Sequence, residues 1–272
     1  MFRIFRNWWS TVPSRPTLGG VPHLSPPLAT AARPVRRPVV VFDFDGTVCL
    51  GEGPVLAYAE AACDRMEPAD AERVRAGFQD WLQGDAAEQH GDAYVALAAL
   101  ARPILGEQLS EAYLDSRRRL VEEDLGVHPP EGLTQLLDDL EAADCERVLL
   151  TNAPATGMEH TLAHLGVRTR FDQIVVSARK PSRMPTHLRT LLADQPPHRL
   201  ASIGDNWTND VAPAVELGAL GLLVTGAWGS SALPPEADAA LRAPQLADLA
   251  PTLRSFAGDP DAFALATEAA TR

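Results

Sequence analysis

The chain has 272 residues, 46% hydrophobic and 22% charged, a balance expected of a globular protein that can bury a sizeable core. Its net charge of −12 is uneven: residues 1–38 carry six arginines and no acid, which leaves 18 basic and 36 acidic groups in the rest. An acidic body is a poor match for nucleic acid, no apolar run approaches the roughly 20 residues that span a bilayer, and three cysteines with no C-x-x-C pair argue against a disulfide framework or a zinc site.

Residues 1–37, rich in proline and arginine, read as a disordered basic extension. Val39-Val40-Val41-Phe42 is a short β-branched run, as expected of a strand buried on both faces. It ends in Asp43-Phe44-Asp45-Gly46-Thr47. From about 54 to 124 the pattern turns helical and alanine-rich. Helices are expected near 54–66, 69–83, 86–101 and 108–124, separated by Pro68, Gly84 and the Pro103–Gly106 stretch. Within the last of them, Arg117-Arg118-Arg119 reads as a solvated face, with one of the three reaching a substrate as the alternative. Trp81, His90 and Tyr94 read as packing residues or as contacts for a ligand.

After Pro129-Pro130 short strands alternate with helices. Strands are expected at 147–150, 173–176, 199–203 and 220–224, with helices near 131–143, 156–165, 185–194, 208–217 and 245–256. Such alternation implies right-handed crossovers and a mostly parallel sheet. The expected fold is an α/β Rossmann-like core, residues 38–50 and 126–258, with a helical insert at 51–125 and a loose tail at 259–272. His160 and His164 are four apart on a helix but lack the glutamate of H-E-x-x-H, so a surface role is expected.

In an open parallel sheet, ligands bind outside the carboxyl ends of the strands. Three expected strands end there in Asp43, in Thr151-Asn152 and in Gly204-Asp205, and a fourth leads to Lys180. Of the 24 basic residues, 23 are arginine; Lys180 is the only lysine. A compact ammonium serves where a planar guanidinium will not fit.

This set resembles the haloacid dehalogenase (HAD) superfamily. Asp43-Phe44-Asp45-Gly46-Thr47 is similar to its first motif, Thr151-Asn152 to its second, Lys180-Pro181 to its third, and Gly204-Asp205 through Asp210 to its fourth. The motifs occur in order over about 38–225. The resemblance implies a Mg²⁺-dependent phosphatase. Asp43 would attack phosphorus and form an aspartyl-phosphate. Asp45 would protonate the leaving oxygen and later activate water. Thr151, Asn152 and Lys180 would bind the phosphoryl group and offset its charge. Asp43, Asp205 and the Asp45 carbonyl would hold Mg²⁺, with Asp210 behind them or reaching the metal through water. The ring of Phe44 would pack away from the phosphate.

The cation has a physical purpose. A carboxylate approaching a phosphate dianion is repelled, by roughly 4 kcal/mol per pair of unit charges at about 4 Å and an effective dielectric of 20. The resemblance also makes the insert a cap hinged near Gly51 and Gly53, under which only a small phosphorylated substrate would fit. Asp45 argues against dehalogenase chemistry, since a departing halide needs no proton. The absence of lysine from the insert argues against a phosphonatase. A phosphosugar mutase shares every motif, and a non-catalytic phospholigand-binding protein is the rival from another class. Cysteine usage suits a reducing, cytoplasmic setting.

Overall fold

The computed structural model describes residues 37–84, 92–226 and 233–270. The expected extension at 1–37, all but its last residue, and His90 lie outside the described residues. Among the described residues six strands form one sheet: β1 (Val39–Phe42), β2 (Glu146–Leu150), β3 (Gln173–Val175), β4 (Leu200–Gly204), β5 (Leu220–Val224) and β6 (Leu241–Ala243). Their order is β3-β2-β1-β4-β5-β6, and every neighbouring pair is parallel. The chain leaves β1 towards β2 on one side and returns to β4 on the other. The crevice at the carboxyl end of β1 is therefore where a doubly wound sheet offers a ligand site.

Successive side chains of β1 point to opposite faces, and both faces are covered. Val40 and Phe42 join a core with α5 (Leu133–Ala142), α6 (Met158–His164) and α9 (Leu246–Gly258). Val39 and Val41 pack with α7 (Met184–Leu192) and α8 (Ala212–Leu217). Double coverage explains why β1 reads as a continuous apolar run rather than an alternating one. On α5, Leu133, Leu136, Leu137 and Leu140 recur at helical spacing and are all buried. Leu140→Ala is expected to cost about 2–5 kcal/mol of stability by leaving a cavity, read as a lower urea midpoint at unchanged slope.

Between β1 and β2 lie α1 (Gly53–Cys63), α2 (Pro68–Leu82), α3 (Ala93–Leu105) and α4 (Gln108–Glu122). The chain enters and leaves this insert side by side, with Leu50 and His128 exchanging backbone hydrogen bonds of 2.9 and 3.0 Å. Gly51 and Gly53 fall in that crossing. Trp81 is buried and stacks on Phe78, so it is a packing residue.

Three expectations need correction. The Pro103–Gly106 stretch does not separate helices at Pro103, because α3 runs through it to Leu105. That proline stands in the last turn, where its missing N–H costs one hydrogen bond and Gly106 N–H still closes on the Arg102 carbonyl at 3.0 Å. The tail is not loose over 260–270, which form α10 (Pro260–Ala270). Asp259 caps it by accepting from Ala262 N–H at 2.9 Å, and Phe263 meets Phe256 edge-to-face. The sheet also has a sixth strand, too short to show any period in sequence. Cys49, Cys63 and Cys145 are all buried free thiols. Among the described residues no helix is long and apolar enough to cross a membrane.

Candidate active site

Asp43 follows β1 directly, and its N–H is held by the Ile203 carbonyl of β4 at 2.9 Å. Past it the chain coils tightly: Thr47, Val48 and Cys49 all donate N–H bonds to the Phe44 carbonyl. Phe44 is 1% exposed and belongs to the core, so its ring does pack inward. Asp205 follows β4 in the same way. Asp210 arrives from the next turn, Trp207–Val211, a wide helical turn that brings its carboxylate back under the strand. Asp43, Asp205 and Asp210 each present an oxygen within 4.8 Å of the others.

Lys180 reaches this group from the loop after β3. Its Nζ lies 2.5 Å from Asp43 Oδ1 and 2.6 Å from Asp210 Oδ1. Asn152 positions the lysine by a two-way clasp. Its Nδ2 donates to the Lys180 carbonyl at 3.0 Å, and its Oδ1 accepts from Lys180 N–H at 2.6 Å. Thr151 follows β2 directly and is buried, and its Oγ1 accepts from Ala153 N–H at 3.0 Å. All four segments singled out in the sequence thus meet at one edge of the sheet.

The electrostatics of the cluster ask for more positive charge. Burial and then the Asp210 charge push the Asp43 carboxyl from 3.8 up to about 7, against the pull of Lys180. Burial, followed by Asp43 and Asp210, holds Asp205 well above the usual carboxylate range. Burial would lower the Lys180 ammonium, but Asp210 and Asp43 raise it above its ordinary value. One ammonium therefore faces three carboxylates. A set of hard oxygen donors with surplus negative charge fits a divalent ion such as Mg²⁺.

Asp210 is fixed from both sides. Its Oδ2 accepts from Asn206 N–H at 3.1 Å, and its carbonyl accepts from the buried Ser202 hydroxyl at 2.7 Å. A β-carbon added at Gly204 would lie 2.4 Å from Asp210 Cβ and 2.6 Å from its Cγ. Gly204→Ala must displace Asp210. The expected result is about a 10–100-fold loss of Mg²⁺ affinity or activity with the circular dichroism spectrum retained, read by titrating the metal against turnover.

The solvated reading of Arg117-Arg118-Arg119 is corrected for its first member. Arg117 is 2% exposed and pairs with Asp45 through two bonds, Nη1 to Oδ1 at 3.2 Å and Nη2 to Oδ2 at 2.9 Å. The hydroxyls of Tyr94 and Tyr113 lie 3.2 and 3.0 Å from Nη2 and share its second N–H. The guanidinium carbon lies 5.3 and 5.1 Å from those two ring centroids. Burial would lower its pKa, but Asp45 and the phenols raise it well above the usual value. A signal was present in the sequence. Arg117 stands four residues after Tyr113 and three before the buried Leu120, on the helix stripe that faces inward. Arg118 and Arg119 lie off that stripe.

A second contact joins insert and core. Asn206 Nδ2 donates to Asp92 Oδ2 at 2.9 Å, while Asp92 Oδ1 caps α3 through Val95 N–H at 2.8 Å. Sequence reading missed Asp92, because an N-cap aspartate looks the same with or without a second partner. Trp207 packs beside Val211, Leu223 and Ala240. His160 is exposed, and His164 meets only the Val127 carbonyl in the hydrogen bonds described, at 3.3 Å.

The architecture and the acid-rich strand edge define an α/β protein built to act at the carboxyl end of its first strand. The sequence profile of the haloacid dehalogenase-like hydrolases matches residues 38–218. The chain belongs to that family. Solved structures with the same fold include YfnB of Bacillus subtilis bound to magnesium, with 15% identity, a TM-score of 0.54, and coverage of 80% of this chain and 99% of that one. CbbY of Rhodobacter sphaeroides in complex with phosphate has 18% identity and a TM-score of 0.53, covering 79% and 96%. The L-2-haloacid dehalogenase RSc1362 has 15% identity and a TM-score of 0.51, covering 81% and 100%. No curated protein matches the chain.

Proposed function

We propose that this hydrolase is a Mg²⁺-dependent phosphatase that cleaves a small phosphorylated metabolite through an aspartyl-phosphate. One observation carries the reading: Asp43, Asp205, Asp210 and the sole lysine converge at the end of β1, with a second acid, Asp45, two residues beyond Asp43. Magnesium bound by the Asp43 and Asp205 carboxylates and the Asp45 carbonyl would neutralise phosphoryl charge. Asp210 holds the Lys180 ammonium in place and supports the metal ligands from behind. The Asp43 carboxylate attacks phosphorus, and the P–O bond to the leaving group breaks. Asp45 delivers a proton to that oxygen and later withdraws one from the water that hydrolyses the aspartyl-phosphate. Lys180 and the Thr151 hydroxyl stabilise the transferring oxygens, and Asn152 keeps the lysine loop in register.

The phosphate complex of CbbY and the magnesium complex of YfnB support this reading. The fold is equally that of RSc1362, so dehalogenation is the competing reading on architecture alone. Asp45 favours the phosphatase, because a halide leaves without a proton. The insert α1–α4 serves as a cap that excludes water and selects the leaving group. Three buried free thiols suit the cytoplasm. A panel of phosphorylated metabolites with Mg²⁺, and again with EDTA, should give free phosphate only in the first case. Halide release from haloacids without phosphate release would replace the phosphatase by a dehalogenase. Isomerised sugar phosphate without free phosphate would replace it by a mutase.

A further inference from the structure

The three tyrosines of the chain, Tyr58, Tyr94 and Tyr113, all lie in the helical insert and touch one another, with ring centroids 5.2–6.2 Å apart. Tyr58 is fully buried, whereas Tyr94 and Tyr113 remain partly accessible. Arg117 lies against those two accessible rings, and its buried Nε has no hydrogen-bond partner among the described residues. The guanidinium occupies both oxygens of Asp45 at once. Asp45 therefore cannot turn to a leaving oxygen without giving up Arg117. Stripping one partner from a buried ion pair is strongly destabilising, so a guanidinium buried to this degree needs another counter-charge when Asp45 leaves. A second anion must take the place of Asp45.

We infer that Arg117 is the specificity-determining residue for the leaving group, and that the substrate carries a second acidic oxygen group, a carboxylate or phosphate, a few bonds from the scissile ester. This rests on the phosphatase reading above. The site is suited to such a group. A planar guanidinium binds a carboxylate or phosphate through two parallel bonds. The hydroxyls of Tyr94 and Tyr113 accept from Nη2, so each phenol keeps its own proton to donate to the incoming anion. The backbone of Arg117 is also held against the core. A β-carbon added at Gly157, which precedes α6, would lie 2.6 Å from the Arg117 carbonyl oxygen. Arg117 thus exchanges one anion for another from a fixed base, and the incoming substrate frees Asp45 for its work.

A bare clamp between insert and core would also pair Arg117 with Asp45, but it would not discriminate among leaving groups. The test is a comparison of kcat/KM within matched substrate pairs, with Mg²⁺. One arm sets phosphorylated two- and three-carbon hydroxy acids against their carboxamides. The other sets short alkyl bisphosphates against the corresponding monophosphates. Wild-type protein should prefer at least one acidic member by tenfold or more, and the better arm identifies the anion. Arg117→Met should reduce that ratio to near one. If Arg117→Met does not fold, Arg117→Lys replaces it: the charge stays, the two-pronged contact goes, and the ratio should fall severalfold. A wild-type ratio near one overturns the inference while leaving the phosphatase standing. So does a ratio that Arg117→Met or Arg117→Lys leaves unchanged. If no phosphomonoester of either kind is turned over, the phosphatase reading itself has failed and this inference falls with it.

Discussion

Asp43→Asn is expected to reduce phosphate release by roughly 10⁴-fold or more, because the amide oxygen is no nucleophile towards phosphorus and the covalent route is lost. The same substitution should make the metal-free protein more resistant to heat. Burial and the neighbouring Asp210 raise the Asp43 carboxyl from 3.8 to about 7, so the fold disfavours its charged form. The sign follows from linkage. With the folded pKa above the unfolded one, the folded state binds its proton more tightly. Stability then falls as pH rises from about 4 to about 7 and is flat above that. The amide removes that loss. In EDTA at pH 8 the variant should melt several degrees higher, since about 1 kcal/mol moves the midpoint of a domain this size by roughly 2–4 °C. At pH 4 the two proteins should melt together. Melting temperatures across pH, with and without Mg²⁺, provide the check. Retained turnover would defeat the nucleophile assignment, and a lower melting temperature at pH 8 would defeat the electrostatic account.

Lys180→Met should act in the opposite direction on stability and in the same direction on rate. The ammonium bridges Asp43 and Asp210, and removing it leaves a buried acidic cluster without its cation. Breaking a buried pair from one side costs about 3–5 kcal/mol, so the metal-free variant should melt well below wild type. Saturating Mg²⁺ should recover part of that deficit, because the metal supplies the missing positive charge. Turnover should still fall by about 10²–10³-fold, as when a single donor to a developing oxyanion is removed. Lys180→Arg should rescue little, since a planar fork does not fit where a compact ammonium lies 2.5 and 2.6 Å from two carboxylate oxygens. Full activity in Lys180→Arg would show that charge alone suffices there. The contrast with Asp43→Asn is itself diagnostic: one substitution relieves repulsion, the other exposes it.

Asp43, Thr151, Lys180 and Asp205 were legible in the chain because each follows a short apolar strand, and parallel strands all end on the same edge. Local pattern and a topological rule were enough to gather them. The order of strands about β1 was less legible, because periodicity does not say which strand lies beside which. Strand β6 and helix α10 were missed for different reasons. Three residues carry no period, and α10 owes its place to Phe263 meeting Phe256 and to Asp261 meeting His198 and Arg199.

Lys180 carried a marker of its own, as the one lysine among 24 basic residues. Arg117, one of 23 arginines and one of three in a row, carried a weaker one, its place on the helix stripe four residues after Tyr113. Its role depends on the insert α1–α4 laying one helix face over Asp45, 72 residues earlier in the chain. Asp92 and Asn206 meet across 114 residues for the same reason. Residue types and strand ends were thus written into the chain as local chemistry, since a strand's end and its last side chain are neighbours by covalent connection. Which cation faces which carboxylate was settled by packing between segments far apart in sequence, because a charge is buried only where another element comes to cover it.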